Sequence, residues 1–482
     1  MPQKKRINMY KKGTKPQNSI EIPQQNVLKF IDLFAGIGGF HQALTSRGYQ
    51  CVLASEIDKD CIQVYQDNYP IRTGNVENYI MNQDITKLET KDIPDFDILC
   101  AGFPCQSFSH AGKQQGFEDK TRGTLFYDIC RILKDKKPKY FILENVKNLK
   151  NHNKGETFKT IYKTLTEELG YLTYGEPIVL SPHHLGIPQN RERVFIIGKL
   201  KEFNNNNECI TTLKPDTDIV EEIKRLKTEN INKCNIETIL ETDSTIEKDI
   251  RDYVNISDVN KQVIDIWNKL VKHFNSKTTV EKLPGFPIWT YVWGKKYNKD
   301  PEGNLLYVVN DKDNKDNKDN NNTIVVDQNN NETQSRIIPK WKQNFIKKNQ
   351  EFYNNKDKNI REFLEKWLQE SKKNKNFVGA RTKFEWQAGN FQDGDDLWKL
   401  MFTFRPSGIR VKRPTYAPTL VAMAHIPYIG SRKRKLTPKE CSKLQSFPDN
   451  FKIDKKITKA YKQFGNSVNV EVVKKILGYL MD

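Results

Sequence analysis

Short apolar runs alternate with amphipathic segments from residue 28 to about residue 200. The apolar runs start with LKFIDLFAG and recur as CVLASEID, FDILCAGF, KYFILENV and RVFIIG, while segments such as LFYDICRILKD have the periodicity of helices. Such alternation predicts an α/β fold, in which helices cover both faces of a parallel sheet. The C-terminal run VNVEVVKKILGYL is predicted to be a helix that returns to this sheet.

The pattern of apolar and polar residues changes near residues 26, 200 and 402, which suggests a division into domains. Residues 1–26 are polar and basic and predict a disordered arm, and residues 27–200 form the first domain. Residues 201–402 have weaker periodicity, contain all seven tryptophans and predict a second, smaller domain. Within it, residues 310–334 are of low complexity and predict a surface loop. Residues 403–482 are expected to return to the first domain.

The chain carries a large excess of positive charge, with 79 Lys and Arg against 60 Asp and Glu and a formal net charge of +19. A polycation attracts phosphate-bearing partners, so nucleic acid is the first candidate partner. The alternative is that the excess of lysine only keeps the protein in solution. Composition does not decide between the two.

The eight cysteines form no C-x-x-C pair, and no secretory leader precedes them. They are expected to be reduced thiols in a cytoplasmic protein, associated with the nucleoid if the source is prokaryotic. No apolar run approaches the length of a membrane span, so we expect no membrane partner. The pair His183-His184 lacks further ligands at zinc-site spacing, so we also expect no metal.

A glycine-rich turn follows the first predicted strand, in the sequence FAGIGGF. Glycines at such a turn let the backbone approach a nucleotide-like cofactor, and Glu56 at the end of the next strand can accept ribose hydroxyls. The pattern is G-x-G-G and lacks the third glycine of dinucleotide-binding turns. This favours S-adenosylmethionine over NAD.

Three further polar sites are expected at the same sheet edge. Cys105 follows a buried strand in GFPCQ, and the glycine-rich loop after it is long enough to close over a substrate. Glu144 ends another strand, and alternation places Arg191 and Arg193 on one face of the following strand. A thiol beside a methyl donor suggests covalent activation of a ring carbon. Alternatively, Glu144 is a solvated strand-end residue and the arginines form an ion pair with a nearby glutamate.

Six segments in order resemble the motif set of the C5-cytosine-specific DNA methyltransferases of bacterial restriction-modification systems. They are FAGIGGF, GFPCQSFS, ENV, QNRERV, RPSGIRVKRPTYAPTL and QFGNSVN, and the likeness covers about 28–200 and 403–482. The resemblance implies a Rossmann-like S-adenosylmethionine-dependent methyltransferase core, with 27–200 as its catalytic domain and 201–402 as a target-recognition domain. The implied cofactor-binding residues are Phe34, Gly36, Gly38, Gly39, Glu56, Ile57, Asp84, Ile85, Pro104, Asn466 and Val468.

The resemblance also implies roles for the catalytic residues. Cys105 would attack C6 of a cytosine flipped out of double-stranded DNA, and Glu144 would hold the N3 and N4 edge. Arg193 would bind O2, with Arg191 supporting the loop or a phosphate. The likeness further suggests a monomer and a cognate restriction endonuclease as a partner.

Three alternatives stay open at this stage. The first is a transfer-RNA cytosine-5 methyltransferase on the same core, against which the long second domain argues. The second is an inactive homologue that only binds nucleic acid or a partner enzyme, and the third is a thiol-dependent dehydrogenase. In the second domain, the aromatic run 285–293 predicts a packed core more than a base-stacking surface, and the basic run 432–435 is expected to meet phosphates.

Overall fold

A computed structural model describes residues 27–481 apart from 71–78, 105–124, 207, 277–281, 301, 309–322, 327–331 and 421–424. Three predicted features therefore lie wholly or largely outside the described residues: the N-terminal arm 1–26, the loop after Cys105 together with Cys105 itself, and most of the low-complexity loop 310–334. Within the described part, no helix is both long and apolar enough to cross a membrane.

The first half of the chain builds an eight-stranded sheet. Its order is β3-β2-β1-β4-β5-β8-β6, and β7 pairs with β8. The strands are β1 (Lys29–Leu33), β2 (Gln50–Ser55), β3 (Ile80–Asn82), β4 (Ile98–Gly102), β5 (Tyr140–Val146), β6 (Tyr171–Thr173), β7 (Ile178–Leu180) and β8 (Arg193–Leu200).

The prediction of a parallel sheet is correct for β1 to β5 and wrong for the last three strands. Strands β1 to β5 pair in parallel, whereas β8 runs antiparallel to β5, β6 and β7. Parallel pairing needs a crossover, usually an α-helix. Residues 181–192 connect β7 to β8 without an α-helix, so β8 runs back along its neighbours.

The second sheet has six strands in the order β17-β16-β14-β15-β13-β9, and a separate three-stranded sheet has the order β10-β12-β11. The strands are β9 (Ile288–Trp289), β10 (Leu306–Val308), β11 (Thr323–Val326), β12 (Glu332–Ile337), β13 (Lys383–Trp386), β14 (Met401–Arg405), β15 (Gly408–Lys412), β16 (Tyr428–Ile429) and β17 (Arg434–Lys435).

Helices cover both faces of the first sheet, as the alternation predicts. The described α-helices are α1 (Gly39–Thr45), α2 (Lys59–Asn68), α3 (Leu125–Lys136), α4 (Glu156–Lys163), α5 (Asp216–Asn230), α6 (Lys248–Val254), α7 (Asp258–Phe274), α8 (Lys340–Asn354), α9 (Lys358–Lys372), α10 (Pro438–Leu444), α11 (Ile457–Asn466) and α12 (Val470–Met481). Side chains of α1, α2, α11 and α12 pack on one face, and those of α3 and α4 on the other. The C-terminal helix thus returns to the first sheet, as predicted.

A separate hydrophobic cluster, here called the second core, holds α7 to α9 against the second sheet. Trp289 and Trp293 are buried in it, which confirms the packed-core interpretation of the aromatic run 285–293. Ile219 and Ile236, however, pack in the core of the first sheet, whereas Val411 packs in the second core. Packing thus crosses residues 200 and 402, and the division into domains at those residues stays a prediction.

Candidate active site

A cavity of about 460 Å³ opens at the carboxyl edge of the first sheet, where open α/β sheets bind their ligands. Its walls are formed by the turns after β1 to β5, by the residues just before and at the start of β8, and by α11. Eleven of the predicted site residues line it: Phe34, Gly36, Glu56, Ile57, Asp84, Ile85, Pro104, Glu144, Arg191, Arg193 and Asn466.

The turn after β1 adopts a left-handed backbone at two positions that face the cavity. Phe34 has φ 56° and Gly36 has φ 55°. A bulky residue with positive φ is uncommon, and such local strain concentrates at functional sites. A Cβ added at Gly36 would meet no atom within 4 Å, so this glycine leaves open space toward the cavity.

Glu56 joins this turn to the end of β2. Its Oε2 accepts the backbone N–H of Gly36 at 2.7 Å, and its Oε1 accepts those of Ile57 and Asp58 at 2.9 and 2.8 Å. A carboxylate offers about four acceptor positions, so Glu56 keeps capacity for a hydroxyl donor. Beside it, the apolar side chain of Ile57 is 73% exposed. The two residues present a polar and an apolar wall to one ligand.

Asp84 lies at the next strand end and is already partly engaged. Its Oδ1 accepts the backbone N–H and the hydroxyl of Thr86, and Oδ2 lies 3.4 Å from Lys87 Nζ. The Thr86 hydrogen bonds lower the pKa of Asp84, so this carboxylate is ionised and its Oδ2 accepts hydrogen bonds.

Three predicted cofactor residues, Gly38, Gly39 and Val468, do not line the cavity. A Cβ at Gly38, which has φ 86°, would lie 2.3 Å from the Tyr69 ring. A Cβ at Gly39 would lie 2.6 Å from the Val468 side chain. We predicted that these glycines let the backbone approach a ligand. In the structure, they instead allow α1 to pack closely against neighbouring segments. Direct cofactor contact by these three residues is not supported by their positions.

Glu144 and Arg193 form an ion pair at the cavity wall. Arg193 Nε lies 3.1 Å from Glu144 Oε1, and the Glu144 side chain is 11% exposed. Burial raises the pKa of Glu144, although the positive charges of Arg193 and Arg191 oppose this. The predicted alternative of an Arg–Glu pair is therefore present, and it lies inside the site.

Arg191 is buried and its guanidinium is directed at the backbone. It donates to the carbonyls of Leu420 and Ser467 at 3.0 and 2.8 Å. These carbonyls belong to segments more than 200 residues away in sequence. Arg191 thus ties three parts of the chain together at the edge of the cavity, whose wall it also forms.

Residue Asn145 is a contributor that sequence reasoning did not assign. Its Nδ2 donates to the carbonyl of Phe103 at 2.9 Å, and its Oδ1 accepts the N–H of Val146. Asn145 therefore holds the segment that leads into Pro104, the residue before Cys105. The sequence could have indicated this role, because Asn145 lies within the ENV motif.

A second contributor is Lys462 on α11, whose Nζ lies 2.9 Å from Asp58 Oδ2. No motif in the sequence marked Lys462 as a site residue.

Across the described residues, no group of three or more His, Cys, Asp or Glu could hold a metal ion. Cys100 is fully buried in β4.

Comparison with known proteins assigns the family. A family model described as C-5 cytosine-specific DNA methylase matches residues 28–481. The chain is 34% identical to the type II methyltransferase M.AluI of Cellulosimicrobium cellulans, over 93% of this chain and 91% of that protein. It is also 34% identical to the type II methyltransferase M.HgiCI of Herpetosiphon aurantiacus, over 94% and 97% of the two chains. The chain therefore belongs to the C-5 cytosine-specific DNA methylase family.

Proposed function

We propose that this enzyme methylates cytosine in a specific duplex DNA site through a transient bond between Cys105 and C6 of the flipped-out base. Family membership gives the overall reaction, the transfer of a methyl group from S-adenosylmethionine to C5 of cytosine in DNA. The observation that carries the residue-level proposal is the buried Glu144–Arg193 pair in the wall of a cavity that also includes Pro104.

The cavity walls fit S-adenosylmethionine. Gly36 leaves open space, Ile57 offers an exposed apolar face for an adenine ring, and Glu56 keeps acceptor capacity for ribose hydroxyls. Asp84 would accept a hydrogen bond from the adenine amino group. When bound, the cofactor supplies the methyl group.

The chain's own groups would activate the base. Cytosine C5 is a weak nucleophile, so the Cys105 thiolate adds to C6 and raises electron density at C5. Burial raises the pKa of Glu144, which makes protonation easier when a base enters; the protonated carboxyl would donate to N3 and accept from the N4 amino group. Arg193, held by the pair with Glu144, donates to O2. Once C5 carries the methyl group, loss of the C5 proton to a base and elimination of Cys105 restore the aromatic ring.

The test is methyl transfer from labelled S-adenosylmethionine to unmethylated genomic DNA and to total transfer RNA. The intact enzyme is compared with Cys105→Ser. We expect labelled 5-methylcytosine in DNA with the intact enzyme and none with the variant. Labelling by the variant at the intact rate would refute the covalent route.

Transfer RNA is the second candidate substrate and is less supported. The family is described by DNA methylation, and relatives matched over more than nine tenths of this chain are named type II methyltransferases. Incorporation of label into transfer RNA alone would reverse this order.

The names of these relatives also suggest a biological setting. We infer that the enzyme acts as a monomer in the cytoplasm, at the nucleoid if the source is prokaryotic. We further infer that a restriction endonuclease of the same specificity accompanies it. A cognate endonuclease would cut unmethylated DNA and spare DNA treated with this enzyme.

A further inference from the structure

The pair His183-His184, which the proposed chemistry does not use, lies in the turn between β7 and β8. Both side chains are buried, and their ring centroids are 4.4 Å apart. Burial lowers the pKa of both imidazoles, so both rings are neutral at neutral pH. Buried polar groups normally have hydrogen-bond partners, and the two histidines differ in the partners that they have.

His183 is hydrogen-bonded at both ends of this turn. Its backbone N–H donates to the carbonyl of Gln189 at 3.0 Å, and its Nδ1 lies 2.8 Å from the Oγ of Ser181. Its ring stacks on that of Tyr416, with centroids 5.4 Å apart and planes inclined by 22°. His183 therefore fixes the turn from Ser181 to Gln189.

Ser181 connects His183 to the wall of the active-site cavity. Its Oγ accepts the backbone N–H of Arg191 at 2.9 Å, and Arg191 lines the cavity. Ser181 directly follows β7, whose last residue pairs with Arg193 on β8. The hydrogen bond thus fixes the backbone two residues before Arg193, the side chain that pairs with Glu144.

The direction of each hydrogen bond follows from the groups available. The Ser181 oxygen accepts the Arg191 N–H, and its hydroxyl has one proton to donate. In the described part of the chain, this oxygen has no third partner. A neutral His183 with its proton on Nε2 accepts the hydroxyl proton at Nδ1, and we assign this tautomer from the hydrogen-bond network. Consecutive hydrogen bonds polarise one another, so the bond to His183 strengthens the bond to Arg191.

His184 is a natural control for His183 within the same turn. Its Nδ1 is buried and has no hydrogen-bond partner among the described residues. Its backbone carbonyl accepts from the side chain of Asn230, a contact that substitution of the imidazole does not remove. The two histidines therefore share their burial and differ in the hydrogen bond toward Arg191.

We propose that His183 is a positioning residue for methyl transfer, which acts through Ser181 to hold the Arg191 backbone, and with it the Glu144–Arg193 pair, in the geometry that receives the target base. This inference rests on the proposed function, because it takes Glu144 and Arg193 as the groups that bind the base. It gives a role to a histidine outside the QNRERV segment.

The test compares His183→Asn with His183→Phe in steady-state methyl transfer to duplex DNA. Asparagine can accept the Ser181 hydroxyl proton close to the position of Nδ1, but it has no ring to stack on Tyr416. Phenylalanine keeps the ring and has no acceptor. We expect His183→Phe to lower kcat by about 10²-fold, and His183→Asn to lower it much less. A role in packing alone would give the opposite order, because phenylalanine retains the buried ring.

Two further variants test the hydrogen-bonded chain. Ser181→Ala removes the acceptor of the Arg191 N–H and should lower kcat at least as much as His183→Phe. Because the two residues act in one chain, the double variant should lose no more activity than Ser181→Ala alone. His184→Phe is the matched control and should keep the kcat of the wild type.

Calorimetric titration with S-adenosylmethionine separates positioning from loss of folding. Its stoichiometry gives the folded fraction, to which kcat is normalised, and its Kd should change much less than kcat. The reason is that Glu56 and Ile57 lie at another strand end.

The proposal is overturned if His183→Phe keeps the kcat of the wild type, if His183→Asn loses more activity than His183→Phe, or if His184→Phe loses as much. It is also overturned if the effects of His183→Phe and Ser181→Ala multiply in the double variant. Wild-type kcat in Glu144→Gln, measured alongside, would instead count against the proposed function.

Discussion

At the residue scale, the site depends on a few side chains whose surroundings change their chemistry. Glu144 lies in a buried wall where its pKa is raised, and this favours the protonated carboxyl that the proposed contact with N3 needs. The neighbouring Arg193 keeps the carboxyl in place at 3.1 Å. The pair therefore holds the proposed proton donor in a fixed orientation.

Replacing Glu144 by Gln should separate catalysis from stability. The amide oxygen can still accept from Arg193, but the side chain no longer supplies a proton, so kcat should fall by about 10²- to 10⁴-fold. Because burial raises the pKa of Glu144, its contribution to folding is largest below its ordinary pKa and is lost as pH rises through the raised pKa.

The free energy of unfolding of Glu144→Gln, relative to the wild type, should therefore increase between about pH 5 and about pH 8. Urea denaturation at the two pH values measures it. A difference that decreased with pH would mean that the carboxylate is stabilised in the folded protein.

The glycine turn offers a matched pair of substitutions. Gly38→Ala places a Cβ 2.3 Å from Tyr69 at φ 86°, so it should lower Tm, with a loss of more than about 1 kcal/mol of stability. Gly36→Ala meets no atom within 4 Å and should cost less stability, but it should weaken binding of S-adenosylmethionine. Thermal unfolding and calorimetric titration measure the two effects. Equal losses of Tm would contradict the separate roles of these glycines.

At the scale of elements, the sequence predicted most of the first sheet and little of the second half. Apolar runs located β1, β2, β4, β5 and β8, because their buried positions are continuous in sequence. The three-residue strands β3 and β6 were missed, since so short a segment has no measurable period.

The direction of a strand and the packing partners of a residue are set by contacts between segments distant in sequence, which explains the other errors in the sequence-based prediction. The antiparallel strand β8 and the packing of Gly39 on Val468 depend on segments that local pattern does not connect. The basic run 432–435 is another example. Arg434, expected at a phosphate, is instead buried, with Nη2 2.8 Å from Glu440.

Substitution of Arg434 by Met should therefore destabilise the fold. It would leave the fully buried Glu440 without its partner, at a cost of about 3–5 kcal/mol. Arg432→Met removes an exposed pair with Glu237 and should cost about 1 kcal/mol or less. Chemical denaturation of both variants checks the contrast. If Arg434→Met kept wild-type stability and weakened only DNA binding, the structural role would be wrong.

At the scale of the whole molecule, the first sheet is packed on both faces, and the second sheet holds a separate hydrophobic core. The cavity at the carboxyl edge of the first sheet holds the proposed chemistry. Residues 417–420 bond to the segment that contains Arg191, at the edge of that cavity.

The covalent route through Cys105 is tested most directly with duplex DNA in which 5-fluorocytosine replaces cytosine. Fluorine does not leave C5 as a proton does, so the enzyme should stay bound to C6 after methyl transfer. We predict a complex between enzyme and DNA that survives denaturing electrophoresis, that requires S-adenosylmethionine, and that Cys105→Ser does not form. Methylation of ordinary DNA with no trapped complex, or a complex that persisted in Cys105→Ser, would contradict the account.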